Sequence, residues 1–205
     1  MKLALFGSTG RVGHELLQQA LNEGYEVKAL VRDASKVTPH ERLEVIVGDV
    51  KKESDVLRTI EGTDAVMSAL GTDKTTTLTE ATPHFIHAME KENIQRIVTI
   101  GTAGILNSRS TPGKVRYEAG DTKRKLTFAA EEHHKVFQMF ERSDLNWTIV
   151  CPTYLPDGDV RGNYRVERDY LPEGAEMITV GDTAEFAFRE FHEQQFNQSR
   201  VGICY

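Results

Sequence analysis

The sequence predicts an α/β domain built on a doubly wound parallel sheet, and three observations predict it. Short, continuously apolar segments alternate with amphipathic segments through the first two thirds of the 205-residue chain. Continuously apolar strands are typical of parallel strands that are buried on both faces. A glycine-rich turn also follows the first apolar segment directly, as expected where such a sheet meets a ligand. Right-handed crossovers between parallel strands then place helices on both sides of the sheet.

The apolar pattern gives the individual elements. Six strands are predicted at residues 3–6, 26–31, 43–47, 64–70, 96–100 and 147–150. Apolar residues spaced three and four apart predict helices at residues 12 to about 24, 54–60, 77–91 and 122–143. Because a helix or a short connection follows nearly every strand, the whole chain is expected to fold as one domain, residues 1–205.

The last fifty residues, about 152–205, have a different pattern. Residues 157–162 are rich in turn formers, residues 163–168 alternate like a half-exposed strand, and residues 177–180 predict a brief strand. Asp182 is placed to cap a helix that runs to about His192, and residues 201–205 predict a last strand. We expect a small C-terminal lobe beside the sheet that forms one wall of a substrate cleft, because ligands bind at the carboxyl ends of the strands.

Composition excludes several classes of function. The net charge is −6 and no basic stripe is present, which argues against a nucleic-acid partner. No apolar run approaches the length of a membrane span, and the N-terminal segment is too short for a signal peptide. Cys151 and Cys204 do not make a disulfide framework, so a cytoplasmic location is expected. No heptad seam marks a dimer interface, which is consistent with a monomer.

Three glycines in the turn have separate predicted tasks. Gly7 would make the tight turn, Gly10 would let the backbone approach a pyrophosphate, and Gly13 would let helix and strand pack closely. The following helix would present its free N–H groups to the phosphates. A three-glycine pattern alone is weak evidence, but here it lies between a strand and a helix, which is the context that supports dinucleotide binding.

The residues at the end of the second strand bear on which dinucleotide is bound. Arg32 and Asp33 stand about 20 residues after the last glycine, where the ribose is recognised. An acidic residue there would bind the 2′-hydroxyl of NAD, whereas an arginine would bind the 2′-phosphate of NADP. Arg32 comes first and Lys36 adds a second cation, so NADP(H) is favoured and NAD(H) is the less favoured alternative.

Several segments together resemble a known family. They are Gly7-Ser8-Thr9-Gly10-Arg11-Val12-Gly13, Leu30-Val31-Arg32-Asp33, Val47-Gly48-Asp49-Val50, Ala69-Leu70-Gly71, Glu131-Glu132-His133, Cys151-Pro152 and the C-terminal tyrosine. In this order they resemble the atypical short-chain dehydrogenases with an NAD(P)H-binding, NmrA-like domain, and among these the flavin and biliverdin reductases. The resemblance covers nearly the whole chain and implies a Rossmann fold that reduces flavins, with a flavin as substrate, or linear tetrapyrroles.

The resemblance also implies cofactor roles for individual residues. It implies pyrophosphate contacts for Thr9, Gly10, Arg11 and Val12, 2′-phosphate contacts for Arg32 and Lys36, adenine contacts for Asp49 and Val50, ribose and phosphate contacts for Leu70 and Gly71, and nicotinamide contacts for Thr102, Pro152 and Thr153. Two positions depart from the family pattern. Thr102 replaces a serine and keeps a hydroxyl, whereas Tyr154 replaces the histidine of the biliverdin reductases, which weakens the case for a tetrapyrrole.

Candidate catalytic residues are few. No tyrosine is followed four residues later by lysine, so the pair that alcohol dehydrogenation by short-chain enzymes uses is absent. Flavin reduction needs mainly positioning, and its proton can come from solvent. Thr102, His133 and Tyr154 are the candidates, with His133 implied by the resemblance. A histidine on the same helical face as Leu126, Ala130 and Phe137 is, however, more often a core residue.

Other interpretations remain open. The chain could be a non-catalytic NADP(H) sensor that binds a regulatory partner, or an epimerase-like enzyme, although the missing tyrosine–lysine pair counts against the latter. His84 and His87 are spaced on one helix but have no evident third ligand, so no metal site is predicted. A nucleophilic Cys151 would need a neighbouring base, and the sequence indicates none, so Cys151 is expected to be a packing residue.

Overall fold

The computed structural model describes residues 1–122 and 126–205, and these form an eight-stranded sheet with helices on both faces. The strands are β1 (Lys2–Phe6), β2 (Glu26–Val31), β3 (Leu43–Val47), β4 (Ala65–Ser68), β5 (Arg96–Ile100), β6 (Asn146–Pro152), β7 (Arg165–Arg168) and β8 (Ser199–Cys204). The helices are α1 (Arg11–Asn22), α2 (Glu53–Ile60), α3 (Thr77–Lys91), α4 (Phe128–Glu141) and α5 (Val180–Glu193).

The sheet has the strand order β3-β2-β1-β4-β5-β6-β8-β7. Every neighbouring pair is parallel except β7 with β8, which is antiparallel. The order changes direction between β1 and β4, where the connections leave on opposite faces of the sheet. This switch point opens a crevice at the carboxyl ends of the strands, which is where ligands bind in doubly wound folds.

Two hydrophobic clusters cover the two faces of the sheet. Helices α1 and α5 pack on one face, through residues such as Leu16 and Phe186. Helices α2, α3 and α4 pack on the other, through residues such as Val56, Phe85 and Phe140. The predicted doubly wound α/β class is therefore confirmed. Among the described residues, no helix is both long and apolar enough to cross a membrane.

The C-terminal region differs in detail from its prediction. Strand β8 pairs with β6 and β7 adds to β8, so these strands extend the central sheet instead of lying beside it. Residues 177–180 do not form a strand: Met177 makes one isolated bridge with Tyr154, and Val180 begins α5. The cap of α5 is Thr179, whose hydroxyl accepts from the Asp182 amide at 3.2 Å, and Asp182 is buried inside the first turn.

Helix α4 is shorter than predicted. It begins at Phe128 instead of residue 122 and ends at Glu141, and residues 123–125 of the predicted span lie outside the described part of the structure. Leu126 precedes the helix and is 88% exposed, so it does not belong to the buried face that includes Val136 and Phe140. The apolar pattern extended the helix too far because Leu126 matches its spacing without packing against the sheet.

Candidate functional site

The glycine turn after β1 is packed too closely for side chains. Gly7 has a φ of +81°, and a Cβ there would lie 2.7 Å from the backbone carbonyl carbon of Ala69. A Cβ on Gly13 would lie 2.0 Å from the Gly7 carbonyl oxygen. The Gly10 amide donates to that same Gly7 oxygen at 3.0 Å. The turn therefore needs glycine at 7 and 13 to bring the start of α1 against β1 and β4.

The N-terminus of α1 is free to bind an anion. Its N-cap is Gly10, which provides no side-chain cap, and the first turn contains no acidic residue. The first backbone bond of the helix runs from the His14 amide to the Gly10 carbonyl, at 2.8 Å. Unsatisfied amides and the positive end of the helix dipole thus face the turn, an arrangement that suits a phosphate.

A groove of about 340 Å³ opens beside this turn, and we call it the glycine groove. It crosses the carboxyl ends of β1, β2 and β4. Its lining residues are Gly7, Thr9, Gly10, Leu30, Val31, Arg32, Lys36, Gly48, Asp49, Val50, Lys51, Ala69, Leu70, Gly71, Asp73 and Thr77. Nine of the residues that the sequence predicts to bind the cofactor are in this set, and they come from four separate segments of the chain.

The two neighbouring charges at the end of β2 have different surroundings. Arg32 and Lys36 line the glycine groove. Asp33 instead caps a single 3-10 turn, Ala34–Lys36, by accepting from the amide of Ser35 at 3.0 Å and from its hydroxyl at 2.7 Å. These hydrogen bonds lower the pKa of the Asp33 carboxyl. The Asp33 carboxylate is thus bonded to its neighbour Ser35, whereas the side chains that line the groove where the ribose would lie are the cations Arg32 and Lys36.

Asp73 was not predicted from the sequence. It lies in the loop after β4, lines the glycine groove and pairs with Arg32 at 3.3 Å, and both side chains are mostly exposed. Asp73 and the next residue, Lys74, both have positive φ, at 48° and 57°. Non-glycine residues seldom adopt this conformation, and two in succession were not signalled by any pattern in the loop.

A second cavity, of about 480 Å³, opens further along the same edge of the sheet, and we call it the β5–β6 cavity. It lies between the loops that follow β5 and β6 and the start of α4. Its lining residues are Thr102, Ala103, Gly104, Arg116, Tyr117, Asp121, Thr122, Leu126, Thr127, Ala129, Ala130, Pro152, Thr153, Tyr154, Leu171, Ala175 and Glu176. The groove crosses the end of β4, and β4 pairs with β5, which leads into the cavity. The two sites are therefore neighbours in the crevice.

Four of the predicted site residues line this cavity. Thr102 lies two residues after the end of β5 and directly before a short 3-10 turn, and its side chain makes no capping bond. Pro152 ends β6, and Thr153 and Tyr154 begin the loop beyond it. The Tyr154 side chain is 64% exposed, so it lies on the rim of the cavity together with the exposed Leu126. A ring that enters the cavity would meet these apolar groups at the entrance.

His133 is not among the residues that line the cavity. It lies one helical turn beyond Ala129 and Ala130, which do line it. Burial lowers the pKa of His133 to about 4, although the neighbouring Glu132 carboxylate opposes this. The structure therefore brings Thr102 and Tyr154 to one cavity, while His133 is half-buried on α4 outside the cavity lining, and its lowered pKa keeps it neutral near pH 7.

Arg11, Val12 and Gly13 belong to the first turn of α1 and do not line the groove. The Val12 side chain is buried in the cluster on the α1 face of the sheet. Arg11 reaches across to the loop after β6, where its Nη1 donates to the Leu155 carbonyl at 2.9 Å and pairs with the Asp157 carboxylate at 2.8 Å. Arg11 thus joins the glycine turn to the loop that carries Tyr154.

Cys151 and the histidines of α3 play no visible part in this crevice. Cys151 is fully buried, and its burial raises the pKa of the thiol to about 12, so it is a packing residue, as expected. His87 contacts Glu53 on the surface. In the described part of the chain, no group of three histidine, cysteine or acidic residues is placed to hold a metal ion.

The residues present in the glycine groove suit a dinucleotide. The closely packed Gly7–Gly13 turn brings the start of α1 to the groove, and the uncapped helix supplies amide donors. Arg32 and Lys36, after the neighbouring strand β2, supply positive charge. These are the groups that a pyrophosphate and a phosphorylated ribose require.

Comparison with known proteins agrees with this geometry. YwnB, an uncharacterized protein of Bacillus subtilis, is 25% identical over 215 residues, which cover 99% of this chain and 98% of YwnB. A structure from Bacteroides thetaiotaomicron titled a putative epimerase is 27% identical with a TM-score of 0.85, covering 100% of this chain and 96% of that one.

Two further structures share the fold. SP1627 of Streptococcus pneumoniae, titled a putative NADH-flavin reductase, has a TM-score of 0.84 at 22% identity and covers 100% of this chain and 99% of that one. A short-chain dehydrogenase/reductase from Veillonella parvula, solved in complex with NADP, has a TM-score of 0.78 at 18% identity and covers 100% and 94%.

The model of the NAD(P)H-binding family matches residues 7–194, which include the glycine turn and all the residues that line the glycine groove and the β5–β6 cavity. A match of this extent, with the switch-point crevice and the resemblance to the atypical short-chain dehydrogenases, leads to one conclusion: this chain is a member of the NAD(P)H-binding family and has its Rossmann fold.

Proposed function

We propose that this protein is an NADPH-dependent reductase that transfers a hydride to a flavin or a similar planar acceptor. The observation that carries the proposal is the pair of adjacent sites in one crevice. The glycine groove has the groups for a dinucleotide, and the β5–β6 cavity of about 480 Å³ lies next to it with a partly apolar lining. A cavity of this size holds a ligand about as large as a flavin ring.

The preference for NADPH rests on the end of β2. Arg32 and Lys36 would bind the 2′-phosphate, whereas Asp33, the residue that would favour NADH, is bonded to Ser35. Leu70 and Gly71 would contact the ribose and phosphate, Asp49 and Val50 the adenine, and Thr9 and Gly10 the pyrophosphate. Arg11 and Val12 would take part through the amides of the first turn of α1.

The chain would act mainly by positioning. A bound reduced nicotinamide supplies the hydride, and with one proton from water it converts an oxidised flavin to the two-electron-reduced form. Thr102, Pro152 and Thr153 would hold the reacting rings together at the ends of β5 and β6, and Tyr154 would cover the outer face of the acceptor. His133 would support the packing behind the cavity and not donate a proton, because burial keeps it neutral.

We further propose that the protein works in the cytoplasm, as a monomer, on small molecules. The two cysteines are free and buried, which suits a reducing compartment.

The test is turnover of NADPH by the purified protein. Riboflavin or FMN is added in excess, the fall of NADPH absorbance is followed, and NADH is run in parallel. The proposal expects enzyme-dependent oxidation of NADPH, with NADH much slower. NADPH binding without any consumption would contradict it and would favour a non-catalytic NADP(H) sensor.

A further inference from the structure

Arg116 is a partly buried cation in the wall of the β5–β6 cavity. It lies in the long loop between β5 and α4, where its amide donates to the Leu106 carbonyl at 2.8 Å. Its Nη2 donates to the main-chain oxygen of Asp121 at 2.9 Å. Its Nε is buried and has no hydrogen-bond partner among the described residues. Nη2 is thus held in place, while the described residues offer no acceptor to Nε.

Among the described residues, the acidic side chains near Arg116 form no direct ion pair with it. The Asp121 carboxylate accepts from the hydroxyls of Ser108 at 2.6 Å and Ser110 at 2.7 Å, which lower its pKa. Glu176 lines the same cavity, and within residues 1–122 and 126–205 neither carboxylate forms an ion pair with the guanidinium, although the charge of Asp121 acts on it from a distance. Burial also lowers the pKa of Arg116, with the Asp121 charge opposing the change.

An unpaired charge that has lost part of its hydration is unfavourable unless a counter-ion replaces the water. Arginine is the side chain best suited to supply two parallel hydrogen bonds to a phosphate or a carboxylate. Leu126, Tyr154 and Leu171 give the same cavity an apolar part, with Leu126 and Tyr154 at its exposed rim and Leu171 buried.

We propose that Arg116 binds an anionic group, a phosphate or a carboxylate, on a planar acceptor whose ring lies against the apolar side of the cavity. This inference rests on the proposed reductase function and names the class of acceptor: a flavin or similar ring with an anionic side chain, in preference to an uncharged one. Arg116 is a binding residue that selects the acceptor, and Thr102 and Pro152 remain the residues beside the reacting rings.

The first experiment compares matched pairs of flavins. FMN and riboflavin differ in one phosphate, and lumiflavin-3-acetate and lumiflavin differ in one carboxylate. Binding to the NADP⁺-loaded protein is measured by quenching of flavin fluorescence, and kcat/KM is measured with NADPH. We expect the anionic member of at least one pair to bind about tenfold or more tightly than its neutral partner, as for a hydrogen bond to a charged group. The pair that discriminates tells phosphate from carboxylate.

The second experiment uses variants. Arg116→Met should weaken FMN or lumiflavin-3-acetate about tenfold or more and leave riboflavin and lumiflavin within twofold. Arg109→Met is the matched control, since Arg109 pairs with Glu167 at 2.6 Å and does not line the cavity. Unchanged binding of neutral flavins shows that the variant is folded, and Arg116→Lys should restore part of the preference.

The outcomes separate the two proposals. Equal binding of charged and neutral flavins by the unaltered protein would overturn the role of Arg116, even if both are reduced. Selective binding of the anionic flavins that Arg116→Met abolishes would uphold it, even if no NADPH is consumed, and the reductase proposal alone would then fail.

Discussion

Arg32 carries a positive charge at the open end of the glycine groove, and its side chain is mostly exposed. In the proposed complex it would give two hydrogen bonds to the 2′-phosphate, which NADH lacks. Arg32 should therefore affect the Kd of NADPH much more than the Kd of NADH.

Replacing Arg32 by Ala should raise the Kd of NADPH about 10- to 100-fold, the effect of losing charged hydrogen bonds, and change the Kd of NADH less than threefold. The measurement is a titration of nicotinamide fluorescence with both cofactors. Arg42→Ala is the control, because Arg42 pairs with Glu41 on the surface away from the groove. Equal losses for NADPH and NADH would refute the 2′-phosphate role.

Asp73 competes for the same guanidinium. Its carboxylate pairs with Arg32 at 3.3 Å, and a 2′-phosphate bound by Arg32 would have to displace it or lie beside it. Exposed ion pairs are worth about 0–1 kcal/mol, so the competition is modest.

Asp73→Asn should lower the Kd of NADPH about two- to fivefold and leave that of NADH unchanged. Glu41→Gln removes a similar exposed carboxylate, paired with Arg42, and serves as the control. High salt should also reduce the preference of the unaltered protein for NADPH over NADH, because salt screens exposed charges. Weaker NADPH binding by the Asn variant would show that Asp73 supports the cofactor instead of competing with it.

The contact between strand β1 and helix α1 requires that residue 13 is a glycine, which has no side chain. A Cβ on Gly13 would approach the Gly7 carbonyl oxygen to 2.0 Å, with no flexible group able to move away. The backbone of the turn would have to shift, and α1 would separate from the strand.

Gly13→Ala should lower the free energy of unfolding by at least about 2–3 kcal/mol, as severe overpacking does, and abolish NADPH binding. Gly71→Ala is the matched comparison for stability, because a Cβ at Gly71 would meet nothing within 4 Å. Urea unfolding of both variants measures the two free energies of unfolding. A Gly13→Ala protein as stable as Gly71→Ala would mean that the turn packs less tightly than described.

The start of helix α5 shows how a tertiary contact can decide which of two possible residues caps a helix. Thr179 and Asp182 both suit an N-terminus of a helix, and the chain uses Thr179 as the cap because Asp182 is needed to accept from the amides of Arg161 and Gly162, each at 2.9 Å. The carboxylate thereby fixes the loop after β6 against α5. A sequence pattern that scores only neighbouring residues does not contain this contact.

For the whole molecule, His133 makes stability depend on pH. Burial lowers its pKa to about 4, against the usual 6.5 for histidine, so as the pH falls the unfolded chain takes up this proton before the folded protein does. Stability is therefore full above about pH 6.5 and falls as the pH decreases toward 4, by up to about 1.4 kcal/mol per pH unit. Below that range the protonation of Asp182, whose pKa its hydrogen bonds lower, removes more.

His133→Asn should flatten the dependence of the unfolding free energy between pH 6.5 and 4, and His14→Asn, an exposed position on α1, should not. Urea unfolding at half-unit pH steps measures both. Activity of the His133→Asn variant near pH 7 should stay within about threefold, because a neutral buried histidine donates no proton. A loss of two or more orders of magnitude with intact folding would make His133 catalytic after all.

Much of the fold follows from the sequence. The bounds of β2, β3, β5 and α3 were predicted to the residue, because each is a compact run with one clear period. The glycine turn and Arg32 were found because a dinucleotide turn has fixed spacing from strand to helix to the next strand end. Among the described residues, the differences include residues 126–127 before α4, residues 69–70 after β4 and residues 177–179, where propensity and periodicity were weak and long-range contacts decided.

The sequence by itself determined the class of the sheet, the position of the glycine groove and the family, because these depend on local periods and short motifs. Only the tertiary structure decided that Asp33 faces Ser35 while Arg32 faces Asp73, that His133 lies outside the cavity, and that Arg116 lies within it. Arg116 and Tyr154 belong to loops without a repeating pattern, and both line one cavity because β5 and β6 end at the same edge of the sheet. Such contacts join distant parts of the chain, and no short stretch of sequence encodes them.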